Sequence, residues 1–81
     1  SQPSIFEPPV GHLELQVASL WAEILKIPGG IVSRTDSFVA LGGHSLALMQ
    51  LKSRIHRQFG VSVSFSELFK LPKLSDLAAH L

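Results

Sequence analysis

Ser45, preceded by Gly42-Gly43-His44, is the one point in the 81-residue sequence where a reactive side chain, permissive backbone and the start of a helical pattern coincide. Two adjacent glycines let the backbone take positive φ and let another molecule approach closely. A serine in or next to the N-cap position sits among unpaired N–H groups at the positive end of the helix dipole. An anion attached there is stabilised. The hydroxyl therefore has two uses: it can cap the helix, or it can carry a phosphate ester. N-cap preferences alone favour the cap. His44 is beside it, as a loop residue without a role or as a contact to a phosphate or a partner.

Other chemistries fit less well. Gly43-His44-Ser45 begins the G-x-S-x-G pattern of a nucleophile elbow, but the last position is Ala47, and an elbow needs a large α/β sheet that 81 residues do not supply. His12, His44, His56 and His80 have no compact metal-site spacing, and there is no cysteine to join them. They read as solvated surface residues, and no metal is expected. The segment Ser45 to Gln58 carries Lys52, Arg54, His56 and Arg57 and no acid. That could suit a small DNA-binding bundle. The net charge is only +1, from seven Lys+Arg against six Asp+Glu, without any like-charge run, so a solvated helix face is preferred and no nucleic acid is expected.

The elements that must position Ser45 follow from period and punctuation. Residues 1–11 carry Pro3, Pro8, Pro9 and Gly11 without a period, which predicts a linker or arm and hints at a longer polypeptide. From His12, the residues Leu13, Val17, Leu20, Trp21 and Ile24 recur at helical spacing until Pro28-Gly29-Gly30. The long connection Ile31 to Gly43 is expected to hold one helical turn near Ser37 to Leu41, pinned to the core by Phe38 and Leu41. A second helix runs from Ser45 to about Gln58, with Leu48, Leu51, Ile55 and Phe59 on its core face and Gly60 at its end. Leu46 and Met49 lie on another side, within about 100° of Ser45, where an apolar pair either packs under the long loop or, as the favoured reading, forms a transient docking patch for partner domains. Val61-Ser62-Val63 reads as an extended connector. Ser64 and Glu67 have capping-box spacing and start a short helix through Phe69. Pro72 separates it from a last helix with Leu74, Leu77, Ala78 and Leu81 on one side. The expected fold class is all-α: a small four-helix bundle of three main helices and one short one.

Composition agrees with one small folded module. The 46% hydrophobic content supports a core, and an 81-residue chain buries little more than about 60% of its unfolded surface, leaving no volume for a large enclosed active site. No apolar run approaches the roughly 20 residues that span a bilayer, so a soluble, cytoplasmic monomer with no membrane contact is expected.

The stretch Asp36-Ser37-Phe38-Val39-Ala40-Leu41-Gly42-Gly43-His44-Ser45-Leu46 resembles the core motif of peptidyl carrier (thiolation) domains of nonribosomal peptide synthetases, which are acyl-carrier-protein-like. The Trp21 helix, Phe59-Gly60-Val61 and the stretch Leu68-Phe69 to Leu77-Ala78 are similar too, so the resemblance covers most of the chain. It implies that residues 12–81 form the carrier domain and that Ser45 bears a covalent 4'-phosphopantetheine taken from coenzyme A, with Gly43 and His44 beside the arm. It implies a non-catalytic module acting with a multienzyme synthetase, holding aminoacyl, peptidyl or acyl groups as thioesters. The implied partners are a phosphopantetheinyl transferase and adenylation, condensation and thioesterase domains, or a ketosynthase in a hybrid polyketide system. Val39 in place of an aromatic, Ala40 in place of an acid and the order Ala47-Leu48 depart from the family pattern, and bear on partner choice rather than on attachment.

Overall fold

The computed structural model describes residues 5–81, so Pro3 and the beginning of the expected arm lie outside the described residues. Four helices follow one another: α1 (Gly11–Leu25), α2 (Ser45–Phe59), α3 (Phe65–Lys70) and α4 (Leu74–His80), with a 3₁₀ turn at Pro28–Gly30. Among the described residues there is no strand, only an isolated antiparallel bridge between Ser37 and Lys73. The all-α four-helix arrangement is the one expected.

Each boundary has a local cause. α1 begins one residue before the expected His12, where the Val10 N–H donates to Glu14 Oε1 at 3.0 Å in place of an N-cap side chain. It ends at Lys26, whose left-handed backbone turns its N–H back to Ala22 before Pro28 forbids another turn. Gly60, at φ 70°, closes α2 in the same way. At α3 both halves of the capping box are made: Glu67 N–H donates to Ser64 Oγ at 3.1 Å and Ser64 N–H to Glu67 Oε1 at 3.0 Å.

The core is built from Val17, Leu20 and Trp21 of α1, Leu48, Leu51 and Ile55 of α2, Leu68 of α3, and Leu74, Leu77 and Ala78 of α4. Val32, Phe38 and Val63 join them from the connections. Leu13 departs from the expected stripe, at 41% exposed. It lies on the right side of α1, but opposite it stand Ala78 and Ala79, too small to cover it.

The connection 31–43 is held down mainly by polar bonds. Its carbonyls cap α4: Leu74 N–H donates to Asp36 O and Ser75 N–H to Arg34 O, each at 3.0 Å. Arg34 reaches α1 through a two-pronged pair, Nε to Glu14 Oε1 and a terminal nitrogen to Glu14 Oε2, both 2.8 Å. Those bonds, with the Val10 N–H, hold the Glu14 carboxyl down from an ordinary 4.5 to about 2. The buried Ser33 hydroxyl fastens the segment before α1, accepting from Glu7 N–H at 3.0 Å and donating to Glu7 O at 3.1 Å. The expected helical turn is present, with Leu41 N–H donating to Ser37 O at 3.0 Å. Phe38 is buried with its ring edge-on to Trp21 at 5.2 Å between centroids. Leu41 does not pin the loop. It is 37% exposed, because the chain reverses immediately after it.

Candidate functional site

That reversal builds the site. Phe38 O accepts from Gly43 N–H at 2.9 Å and Val39 O from Gly42 N–H at 3.0 Å, the pair of bonds that closes a helical turn through one residue of positive φ. That residue is Gly42, at φ 104°. Gly43 serves a different need. A Cβ there would run into the Phe38 ring and come within 2.6 Å of the Phe38 carbonyl oxygen. The two adjacent glycines thus have separate roles, and the close approach at Gly43 is made by the chain's own Phe38. Gly43 is buried, and His44 and Ser45 beyond it are exposed.

His44 is the N-cap residue of α2, extended at φ −86° and ψ −166°, and its side chain makes no cap hydrogen bond. Ser45 is the first helical residue. The first helical N–H to find an acceptor is that of Leu48, donated to His44 O at 2.9 Å. The amides of Ser45, Leu46 and Ala47 therefore have no acceptor among the described residues, and no acidic side chain occupies the first turn. Nothing among the described residues bonds the Ser45 hydroxyl either, so it is not the helix cap. An exposed hydroxyl at a helix start, with three free amides and no carboxylate in the first turn, fits a phosphate diester.

The profile of the family described as phosphopantetheine attachment site matches residues 16–81. The chain belongs to this family. Malpinin synthetase of Mortierella alpina is 49% identical over 76 residues, which is 94% of this chain and 1% of that protein. The chain thus spans a very small part of such a relative. Among solved structures, the solution structure of a docking domain complex of the Pax NRPS is similar at 39% identity and a TM-score of 0.84, over 99% of this chain and 75% of that one. A structure of the phosphopantetheine transferase Sfp with coenzyme A and a peptidyl carrier protein is similar at 28% identity and a TM-score of 0.83, covering 94% of this chain and 95% of that one. As a family member the chain is a non-catalytic carrier bearing a covalent 4'-phosphopantetheine. When bound, that arm supplies a terminal thiol on which acyl groups are held as thioesters.

Leu46 is 68% and Met49 58% exposed on the side of α2 turned from the core, beside Ser45. Of the basic residues of α2, Lys52 Nζ donates to Val63 O at 2.9 Å, Arg54 pairs with Glu23 at 3.4 Å, His56 Nδ1 shares a 3.3 Å hydrogen bond with the Ser62 hydroxyl, and Arg57 has no carboxylate partner among the described residues. His80 lies 3.0 Å from Glu67, and no group of three or more metal-ligating side chains gathers among the described residues. Sequence reasoning passed over Phe65 and Phe69, both exposed on α3 while Leu68 is buried. Their i, i+4 spacing across a single buried Leu was the available signal. No helix among the described residues is long and apolar enough to cross a membrane.

Proposed function

We propose that Ser45 is the attachment residue and that the chain works as a peptidyl carrier in nonribosomal peptide or hybrid polyketide biosynthesis. The observation that supports this best is the exposed, unbonded Ser45 hydroxyl at the start of α2, above three free amides. A phosphopantetheinyl transferase forms the phosphodiester on Ser45 Oγ from coenzyme A. The hydroxyl oxygen takes the place of the departing adenosine bisphosphate at phosphorus and its proton leaves. Gly43 and His44 border the arm: Gly43 through the backbone it lets Phe38 hold, His44 as the exposed side chain next to the ester.

The carrier contributes position rather than bond-making. A rigid helix end presents the arm, and tethering raises the effective concentration of the held group at each neighbouring active site. Residues 12–81, with Gly11 added as the first residue of α1, are the carrier unit, and the preceding residues are the connecting arm whose Glu7 is fastened at Ser33. Its partners are adenylation, condensation and thioesterase or ketosynthase domains, which dock on Leu46 and Met49. It acts as a monomer in the cytoplasm, where coenzyme A is supplied. The chain loaded by a transferase, then incubated with an adenylation domain, ATP and an amino acid, should gain one aminoacyl mass that hydroxylamine removes. Ser45→Ala should gain none, and equal aminoacylation of that variant would refute the assignment.

A further inference from the structure

The two flanks of α2 differ in which of their charges are already used. On the α3 side, a groove lined by Met49, Lys52, Ser53, His56, Ser62 and Phe65 has its basic groups tied to the chain itself. Lys52 donates to the Val63 carbonyl and lies 5.9 Å from the centre of the Phe65 ring, and His56 is bonded to Ser62. On the α1 side, a second groove has an apolar floor of Ile24, Leu46 and Met49. Its rim holds Lys26, Arg54 and Arg57 against one acid, Glu23. Arg54 takes Glu23 at 3.4 Å, and Lys26 and Arg57 have no carboxylate partner among the described residues. The left-handed backbone at Lys26, where α1 ends, sets that cation at the groove's edge.

From this we infer that the α1–α2 groove receives a segment of a partner protein that presents apolar side chains flanked by carboxylates. The inference rests on the reading of Leu46 and Met49 as a docking patch and adds to it a side and a charge. The apolar floor supplies contact area, and the two unpaired cations select an acidic rim and raise the rate of encounter. A basic partner would meet like charge at Lys26 and Arg57, with no Asp or Glu on α2 to offset them.

The test uses the full chain, isotope-labelled and carrying the arm, titrated with two synthetic amphipathic peptides that share a leucine stripe and differ in having Glu or Lys at every other position. The Glu peptide should shift the amides of Ile24, Lys26, Met49 and Arg57, and the Lys peptide should not bind. Lys26→Glu with Arg57→Glu should weaken the Glu peptide roughly tenfold, as expected for rim charges that act on encounter. Its affinity should also fall as salt shortens the screening length from about 10 Å at 0.1 M to about 3 Å at 1 M. Equal binding of both peptides, shifts centred on Phe65 and Phe69, or indifference to the charge reversal would overturn the inference. So would binding of anionic phosphatidylglycerol vesicles through the same residues with no binding of the Glu peptide. Loss of Glu-peptide binding in Leu46→Ala or Met49→Ala is expected. Retention there would remove the docking patch itself, whereas arm attachment at Ser45, read separately by mass, tests the carrier assignment alone.

Discussion

Gly43→Ala is the substitution that should most damage the site without touching Ser45. The added Cβ meets the Phe38 ring and lies 2.6 Å from the Phe38 carbonyl oxygen, and Phe38 is already closed in by Trp21 at 5.2 Å. Two responses are available. The loop can shift at an overpacking cost of about 1–3 kcal/mol. Alternatively the ring can leave its site, with about 3–5 kcal/mol as the limit set by complete loss of a buried Phe. A loss of about 2–4 kcal/mol is expected, out of the roughly 4–12 kcal/mol typical of an 81-residue domain. At about 4–8 °C per kcal/mol, the melting temperature should fall by roughly 10–30 °C. Gly42→Ala is the control: its Cβ meets open space, so only the strain of φ 104° is charged, about 1–3 kcal/mol. Urea unfolding followed by Trp21 fluorescence measures both. The cycle with Phe38→Ala isolates the contact with the ring, since the carbonyl contact stays, and Gly43→Ala should cost at least about 1 kcal/mol less in that background. A Gly43→Ala variant within about 0.5 kcal/mol of wild type, the range of an ordinary surface substitution, would show that the packing of Phe38 beneath the Ser45 loop is misread.

Leu51→Ala and Ile55→Ala should each cost about 2–5 kcal/mol in urea unfolding, whereas Leu46→Ala and Met49→Ala should cost under about 1 kcal/mol. Equal losses at all four would sink the assignment of faces on α2. The Glu14 carboxyl titrates near 2 when folded and near 4.5 when free, so its contribution is complete above pH 4.5 and is lost as pH falls from there toward 2. Over that window the wild type should lose more stability than Glu14→Gln, and parallel profiles would contradict the Arg34 pairing. Ser64→Ala should cost about 0.5–2 kcal/mol by removing the α3 cap, and amide exchange should quicken at Glu67, whose N–H loses its acceptor.

The helices were legible because apolar periodicity and punctuation by Gly and Pro are local signals. Val17, Leu20 and Trp21, then Leu48, Leu51 and Ile55, state their faces in the sequence, and the Ser64–Glu67 box announces α3. What period cannot carry is what stands opposite. Leu13 has the spacing of a core residue but faces Ala78 and Ala79. The bonds that fix the loop join residues 20 and 26 positions apart, Glu14 to Arg34 and Glu7 to Ser33, with no repeat to reveal them. At the site, the sequence made Ser45 stand out, but whether its hydroxyl was a cap or free depended on geometry. His44 proved to hold the cap position without a capping bond. The division of labour between Gly42 and Gly43 was equally hidden, since it depends on the path of Phe38.

The attachment of the arm to Ser45 is tested most directly by locating it on the chain. The full chain should be incubated with coenzyme A, Mg²⁺ and a broad-specificity phosphopantetheinyl transferase, digested, and sequenced by tandem mass spectrometry. A single phosphopantetheine on Ser45 is expected, with none on Ser37 or Ser53 and none anywhere in Ser45→Ala, which should remain folded because its hydroxyl makes no hydrogen bond. An arm found on another serine, or on Ser45→Ala, would contradict the account.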